Sequence, residues 1–130
     1  MSAKILIIDD EKGIRDLFTY LLQPHGYNVS LACNGLEGLE KYKQDKFDVI
    51  LLDVHMPKMR GPEVLKIIKE INPKQKVIIF TSGSDPDFIF ENKSQELGVH
   101  KCLNKPFCID EVLSTIKDVL HSNDTSPVVN

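Results

Sequence analysis

Short apolar runs at 5–8, 27–31, 49–52, 77–80 and, more weakly, 102–103 alternate with longer amphipathic segments. Most of these runs have about the length of a strand, and several are rich in Ile and Val. Near-continuous apolar runs suit parallel strands covered on both faces, because strands with one wet face alternate instead. A parallel connection must cross over, is right-handed, and usually carries a helix. Five such alternations predict an α/β domain with a five-stranded parallel sheet and five helices. Strand order 2-1-3-4-5 would put strands 1 and 3 on either side of a switch point, where ligands bind at the carboxyl ends of strands.

The intervening segments carry helical stripes. Ile14, Leu17, Phe18, Leu21 and Leu22 make the first, which Pro24 and Gly26 end. Asn34 with Glu37 resembles a capping box opening the second, whose stripe is Leu36, Leu39 and Tyr42. Val64, Ile67, Ile68 and Ile71 stripe the third, which stops before Pro73. Asp85 as cap and Pro86 in the first turn would open a fourth, with Phe88, Ile89 and Phe90 adjacent. Ile109, Val112, Leu113, Ile116, Val119 and Leu120 stripe the fifth. This divides the chain into a domain over residues 1–121 and a flexible, mostly polar tail over 122–130.

The 130 residues fit one domain, and 42% hydrophobic with 27% charged residues describes a globular chain. A net charge of -3 gives no general attraction to nucleic acid. No apolar run approaches the ~18 residues of a membrane span, and the first residues lack a signal-peptide pattern. Cys33, Cys102 and Cys108 are an odd set without a Cys-x-x-Cys pair, which argues against a disulfide framework or zinc site. A reducing cytoplasm is the expected location. Cys33 and Cys108 read as small apolar fillers, and Phe107 as core. His25, His100 and His121 read as surface residues, and Lys41, Lys43 and Lys46 as a solvated face.

Chemistry gathers at the strand ends. Strand 1 runs into Asp9-Asp10-Glu11, strand 3 ends in Asp53, strand 4 in Thr81, and strand 5 in Lys105-Pro106. In a doubly wound sheet these converge on one edge. Close carboxylates repel unless a cation neutralises them, and carboxylates with water are hard ligands suited to Mg²⁺. Three Asp and one Lys leave a charge that one divalent ion balances. Such a site suits phosphoryl transfer, with a carboxylate able to form an acyl phosphate. Asp9-Asp10-Glu11 alone also reads as an ordinary helix cap with first-turn acids. Asp53, at the end of a buried strand, has no comparable structural reading.

Taken together, Ile7-Ile8-Asp9-Asp10-Glu11, Val49-Ile50-Leu51-Leu52-Asp53-Val54-His55-Met56-Pro57 with Gly61, Phe80-Thr81-Ser82-Gly83 and Asn104-Lys105-Pro106-Phe107 resemble the response-regulator receiver domains of two-component signalling. The resemblance runs from about Lys4 to about His121 and implies a flavodoxin-like fold. It implies Asp53 as the acceptor of phosphoryl from a phosphohistidine. Asp10 would bind Mg²⁺ directly and Asp9 mainly through metal-bound water, while the His55 carbonyl supplies a further ligand. Lys105 would pair with Asp53 and then with the phosphoryl group, and Thr81 would donate its hydroxyl. Pro106 would follow a cis bond that aims Lys105 into the site, and Gly61 would end the loop beneath it. The implied partners are a sensor histidine kinase or phosphotransfer protein and a downstream output protein or domain, with homodimerisation on activation a further option. No direct contact with nucleic acid or membrane is implied. The chain is expected either to act alone or to be the N-terminal piece of a longer regulator.

One position departs from that pattern. Receivers usually carry Tyr or Phe three residues before the Lys, and here Cys102 stands there. Phe88 or Phe90 is expected to take over part of its packing. His55, two residues after Asp53, is expected to set the lifetime of the phosphorylated form. Two alternatives stay in view: an aspartyl-phosphate hydrolase and a receiver-like binding module. Dehalogenase-type phosphatases use Asp-x-Asp after a strand, but His55 takes the second acid's place. The full set Asp9, Asp10, Asp53, Thr81 and Lys105 speaks against loss of phosphorylation.

Overall fold

The computed structural model describes residues 2–54, 56, 59, 61–81, 99–104 and 108–121. The described strands and α-helices are, in chain order, β1 (Lys4–Ile8), α1 (Lys12–Leu22), β2 (Asn28–Ala32), α2 (Gly35–Gln44), β3 (Val49–Asp53), α3 (Gly61–Ile71), β4 (Val77–Thr81), β5 (Lys101–Asn104) and a last helix, the C-terminal helix (Ile109–Leu120). The five strands form one sheet in the order β2-β1-β3-β4-β5, and every neighbouring pair is parallel. This is the flavodoxin-like arrangement expected from the sequence. The helix expected to open at Asp85 lies outside the described residues, as do Phe88, Phe90, Phe107 and the tail 122–130.

The apolar runs have two faces to fill. Leu6, Ile8, Ile50, Leu52 and Ile79 meet Leu39, Tyr42, Val64, Leu65 and Ile68 from α2 and α3. Ile5, Ile7, Val49, Leu51, Ile78 and Phe80 meet Phe18 and Leu22 of α1 and Val112, Ile116 and Val119 of the C-terminal helix. Period-two alternation along each strand therefore serves both layers at once. Phe18 and Phe80 lock the second layer, with ring centroids 5.5 Å apart and planes tilted by 51°.

Helix α2 lies very close to the sheet and to α3. A Cβ on Gly38 would stand 2.5 Å from Ile8 Cδ1, and one on Gly35 2.6 Å from Val64 Cγ2. Asn34 caps α2, its Oδ1 accepting from the Glu37 N–H at 2.8 Å. The return bond of the expected capping box is displaced by one residue, because Glu37 Oε1 accepts from the Cys33 N–H at 2.8 Å. Helix α1 ends through a short 3-10 turn, Gln23–His25, that contains Pro24. Gly26 then leaves it at φ 86, a left-handed conformation that glycine adopts without Cβ strain.

Several surface and core expectations are corrected. His100 is buried, at 3% exposure. Its N–H bonds Val77 O at 2.9 Å, which draws the residue into the sheet just ahead of β5. Cys33 and Cys108 are exposed rather than filling the core, because each flanks a helix start at the sheet rim. Of the three lysines read as solvated, Lys43 and Lys46 are exposed and Lys41 is half-buried. Lys41 Nζ reaches back to donate to Leu31 O and ties α2 to β2. Leu17, Leu36, Ile71 and Ile109 stand exposed at the margins of their stripes. No helix among the described residues is long and apolar enough to cross a membrane.

Candidate functional site

Registers bring the acids together. Ile8 pairs with Leu52 in β1–β3, so the residue after β1, Asp9, lies level with Asp53 at the end of β3. The Asp9 N–H adds a further bond to Ala32 O at 3.1 Å, prolonging the β1–β2 ladder. Asp9, Asp10 and Asp53 each offer a carboxylate oxygen, and these oxygens all lie within 4.8 Å of one another. Asp9 and Asp53 are buried, at 0% and 2% exposure, while Asp10 opens to solvent. At such spacing, like charges repel by on the order of 3 kcal/mol per pair at an effective dielectric of about 20. The donor set is all hard oxygen, so it fits a small divalent cation.

The acids are not serving α1 as caps. Glu11 is its N-cap residue, with no side-chain capping bond, and the first turn holds no acid. Instead, Asp9 Oδ1 accepts from the Glu11 N–H at 2.8 Å. Arg15, from the second turn of α1, donates from Nη1 to the main-chain oxygen of Asp9 at 2.8 Å. The sequence reading did not single out Arg15. Its only signal is a basic residue six positions after the first acid, at a distance one helical turn can fold back over.

Below the site, α3 begins against the end of β3. Gly61 N–H donates to Val54 O at 3.1 Å, and the Val54 N–H donates to Phe80 O at 3.1 Å. These bonds fix the chain on both sides of the peptide that leaves Asp53. Thr81 closes β4, paired in register with Asn104 of β5. The two strands thus end side by side, one residue short of Lys105. Lys105, Pro106 and His55 lie outside the described residues. Cys102 is half-buried and packs against the layer under α2 and α3, on the face of its register partner Ile79.

The chain is similar in sequence and fold to known proteins. The family profile described as "Response regulator receiver domain" matches residues 5–117. Sporulation initiation phosphotransferase F of Bacillus subtilis is 41% identical over 120 residues, spanning 92% of this chain and 95% of that protein. The transcriptional regulatory protein CpxR homolog of Haemophilus influenzae is 36% identical over 91% of this chain, which spans only 50% of that relative's length. The chemotaxis protein CheY4 of Vibrio cholerae superposes with a TM-score of 0.84 at 32% identity, covering 92% of this chain and 99% of that one. The response regulator TrrA of Thermotoga maritima, solved in complex with Mg²⁺-BeF, gives 0.78 at 31% identity, with 92% and 99% coverage.

Proposed function

Because this chain belongs to the response regulator receiver domain family, the phosphoacceptor modules of two-component signalling, we propose that Asp53 is its acceptor and that Mg²⁺ is its cofactor. The observation that supports this is the meeting of Asp9, Asp10 and Asp53 within 4.8 Å on one strand edge. Asp9, Asp10, Asp53 and the main-chain carbonyl of His55 would hold the ion. Bound there, Mg²⁺ supplies charge neutralisation between the acids and the incoming phosphoryl oxygens.

In this reading an Asp53 carboxylate oxygen attacks phosphorus as the P–N bond to the donor histidine breaks. The electron pair of that bond returns to the imidazole, and an acyl phosphate forms on Asp53. Burial keeps the Asp53 carboxylate weakly hydrated, so less water must be displaced at transfer. Lys105 pairs with the carboxylate beforehand and with the phosphoryl oxygens afterwards. The Thr81 hydroxyl donates to another of those oxygens, and closure of its loop reports the new charge to the surface. The donor is a sensor histidine kinase or phosphotransfer protein in the cytoplasm, and the output is a partner protein or domain.

One observation favours onward transfer as a second reading. The relative that this chain spans almost end to end is named a phosphotransferase. In that reading the phosphate on Asp53 of this chain would pass to a histidine on another protein.

Incubation with acetyl phosphate and Mg²⁺, followed by intact mass measurement, tests the acceptor. The parent should gain the mass of one phosphoryl group, and Asp53→Asn or added chelator should prevent it. An unmodified parent would overturn the assignment, and steady turnover of a small substrate would favour a hydrolase.

A further inference from the structure

The peptide joining Asp9 to Asp10 orients two of the three acids. Asp9 is held by its own N–H on Ala32 O at 3.1 Å and by its Oδ1, which accepts from the Glu11 N–H at 2.8 Å, and the peptide itself by Arg15 Nη1 on Asp9 O at 2.8 Å. The first two anchors come from main chain beside the turn. Arg15 reaches in by its side chain, from the helix that follows the turn. Thr19 Oγ1 in turn donates to Arg15 O at 2.9 Å, one turn further along the same helix.

From this geometry we propose that Arg15 is a positioning residue that sets the cation affinity of the acidic cluster by clamping the Asp9–Asp10 peptide. The proposal rests on the Mg²⁺ reading above. An arginine beside three carboxylates would ordinarily pair with one of them and compete with a metal. Here the guanidinium bonds a main-chain oxygen, so it holds the loop without occupying the oxygens a cation needs. Asp9 is fully buried, and a buried carbonyl that loses its donor must find another or shift toward water. Any such shift turns the peptide and moves both carboxylates relative to Asp53.

Two effects of removing Arg15 have opposite signs, which makes the test decisive. Loss of a nearby positive charge would tighten Mg²⁺ binding. Loss of the clamp would weaken it, and partners that orient metal ligands typically contribute about 10-fold or more in affinity. Mg²⁺ titration of the full chain by calorimetry, at a temperature where every variant is folded, separates them. Arg15→Met should bind Mg²⁺ about 10-fold more weakly than the parent. Arg15→Lys, which keeps a donor able to reach the carbonyl, should recover part of that loss. The Glu11 amide should also exchange hydrogen faster in Arg15→Met, with core amides of β3 unchanged. Equal or tighter Mg²⁺ binding by Arg15→Met would overturn the proposal, as would weaker binding that Arg15→Lys shares in full. A parent that binds no Mg²⁺ would remove the metal reading and this proposal together, whereas a parent that binds and an indifferent Arg15→Met would remove only the clamp.

Discussion

Gly61 lies directly against Asp53: a Cβ added at Gly61 would stand 2.6 Å from the Asp53 main-chain oxygen and 2.9 Å from Val54 Cα. Main-chain atoms cannot swing aside as a flexible side chain can, so the first turn of α3 seats on the end of β3 only because residue 61 has no side chain. Gly61→Ala should push that turn outward, costing about 1–3 kcal/mol as an overpacking substitution, and slow phosphorylation of Asp53 by acetyl phosphate. Gly13 is the matched control, since nothing lies within 4 Å of a Cβ there. As an exposed glycine inside α1, it should gain up to about 1 kcal/mol on changing to Ala. Urea unfolding of both variants should give opposite signs.

Helix α2 supplies a smaller, cleaner measurement. The Asn34 side chain accepts from the Glu37 N–H, so Asn34→Ala leaves that donor to water and should cost about 1 kcal/mol. Glu37→Ala loses its acceptor contact to the Cys33 N–H, which lies at an exposed turn, and should cost less. Denaturant midpoints that order the two variants the other way would show that the carboxylate, not the amide, secures this helix start.

What the sequence makes legible here follows from covalent constraints. A parallel sheet covered on both faces is readable because parallel crossovers have one hand and near-continuous apolar runs need two covered faces, whereas the strand order that brings Asp9 beside Asp53 is readable only through the resemblance to receiver domains. The Asn34 cap is readable because it acts three residues away. His100, Ile71 and Ile109 are not, because their burial depends on which flank of an element the neighbours reach. A histidine drawn into the sheet by a bond to Val77 carries no local mark of it. Nor does Arg15, whose role depends on where the turn after β1 places the Asp9 carbonyl. Motif reading finds groups that touch a ligand. Groups that hold those groups are found only through distances.

At the opposite pole of the sheet, Lys69 Nζ donates to Gln75 O at 2.5 Å, and Gln75 in turn accepts from Tyr42 Oη at 2.9 Å. Burial pulls the Lys69 ammonium down from 10.5 to about 8. A lowered lysine pKa means that, between about 8 and 10.5, the unfolded chain holds the extra proton and the folded chain does not. Stability from this group therefore rises with pH through that window, and its burial penalty is felt in full below it. Tyr42 works the other way: burial raises its phenol above 10.0, so the unfolded chain ionises first and stability falls at higher pH. Urea unfolding across this range should show an upward slope near pH 9 that Lys69→Met flattens, and a decline at higher pH that Tyr42→Phe removes.

The acidic cluster itself makes the last prediction. Three carboxylates with oxygens within 4.8 Å store repulsion that a divalent cation relieves and that loss of one charge also relieves. Asp53→Asn should therefore melt at a higher temperature than the parent in chelator. Adding Mg²⁺ should reverse the order. A ligand that binds only the folded state stabilises in proportion to the logarithm of its concentration over Kd, about 2.7 kcal/mol at 100 times Kd. The parent, with three acids, gains this; the variant, with two, binds more weakly and gains less. Thermal unfolding of both proteins in chelator and across a Mg²⁺ series reads the crossing directly. Ca²⁺, which accepts more ligands at longer distances, should stabilise the parent less if the site is built for the smaller ion. Parallel curves, with parent and variant shifted equally by Mg²⁺, would place the bound ion elsewhere on the surface.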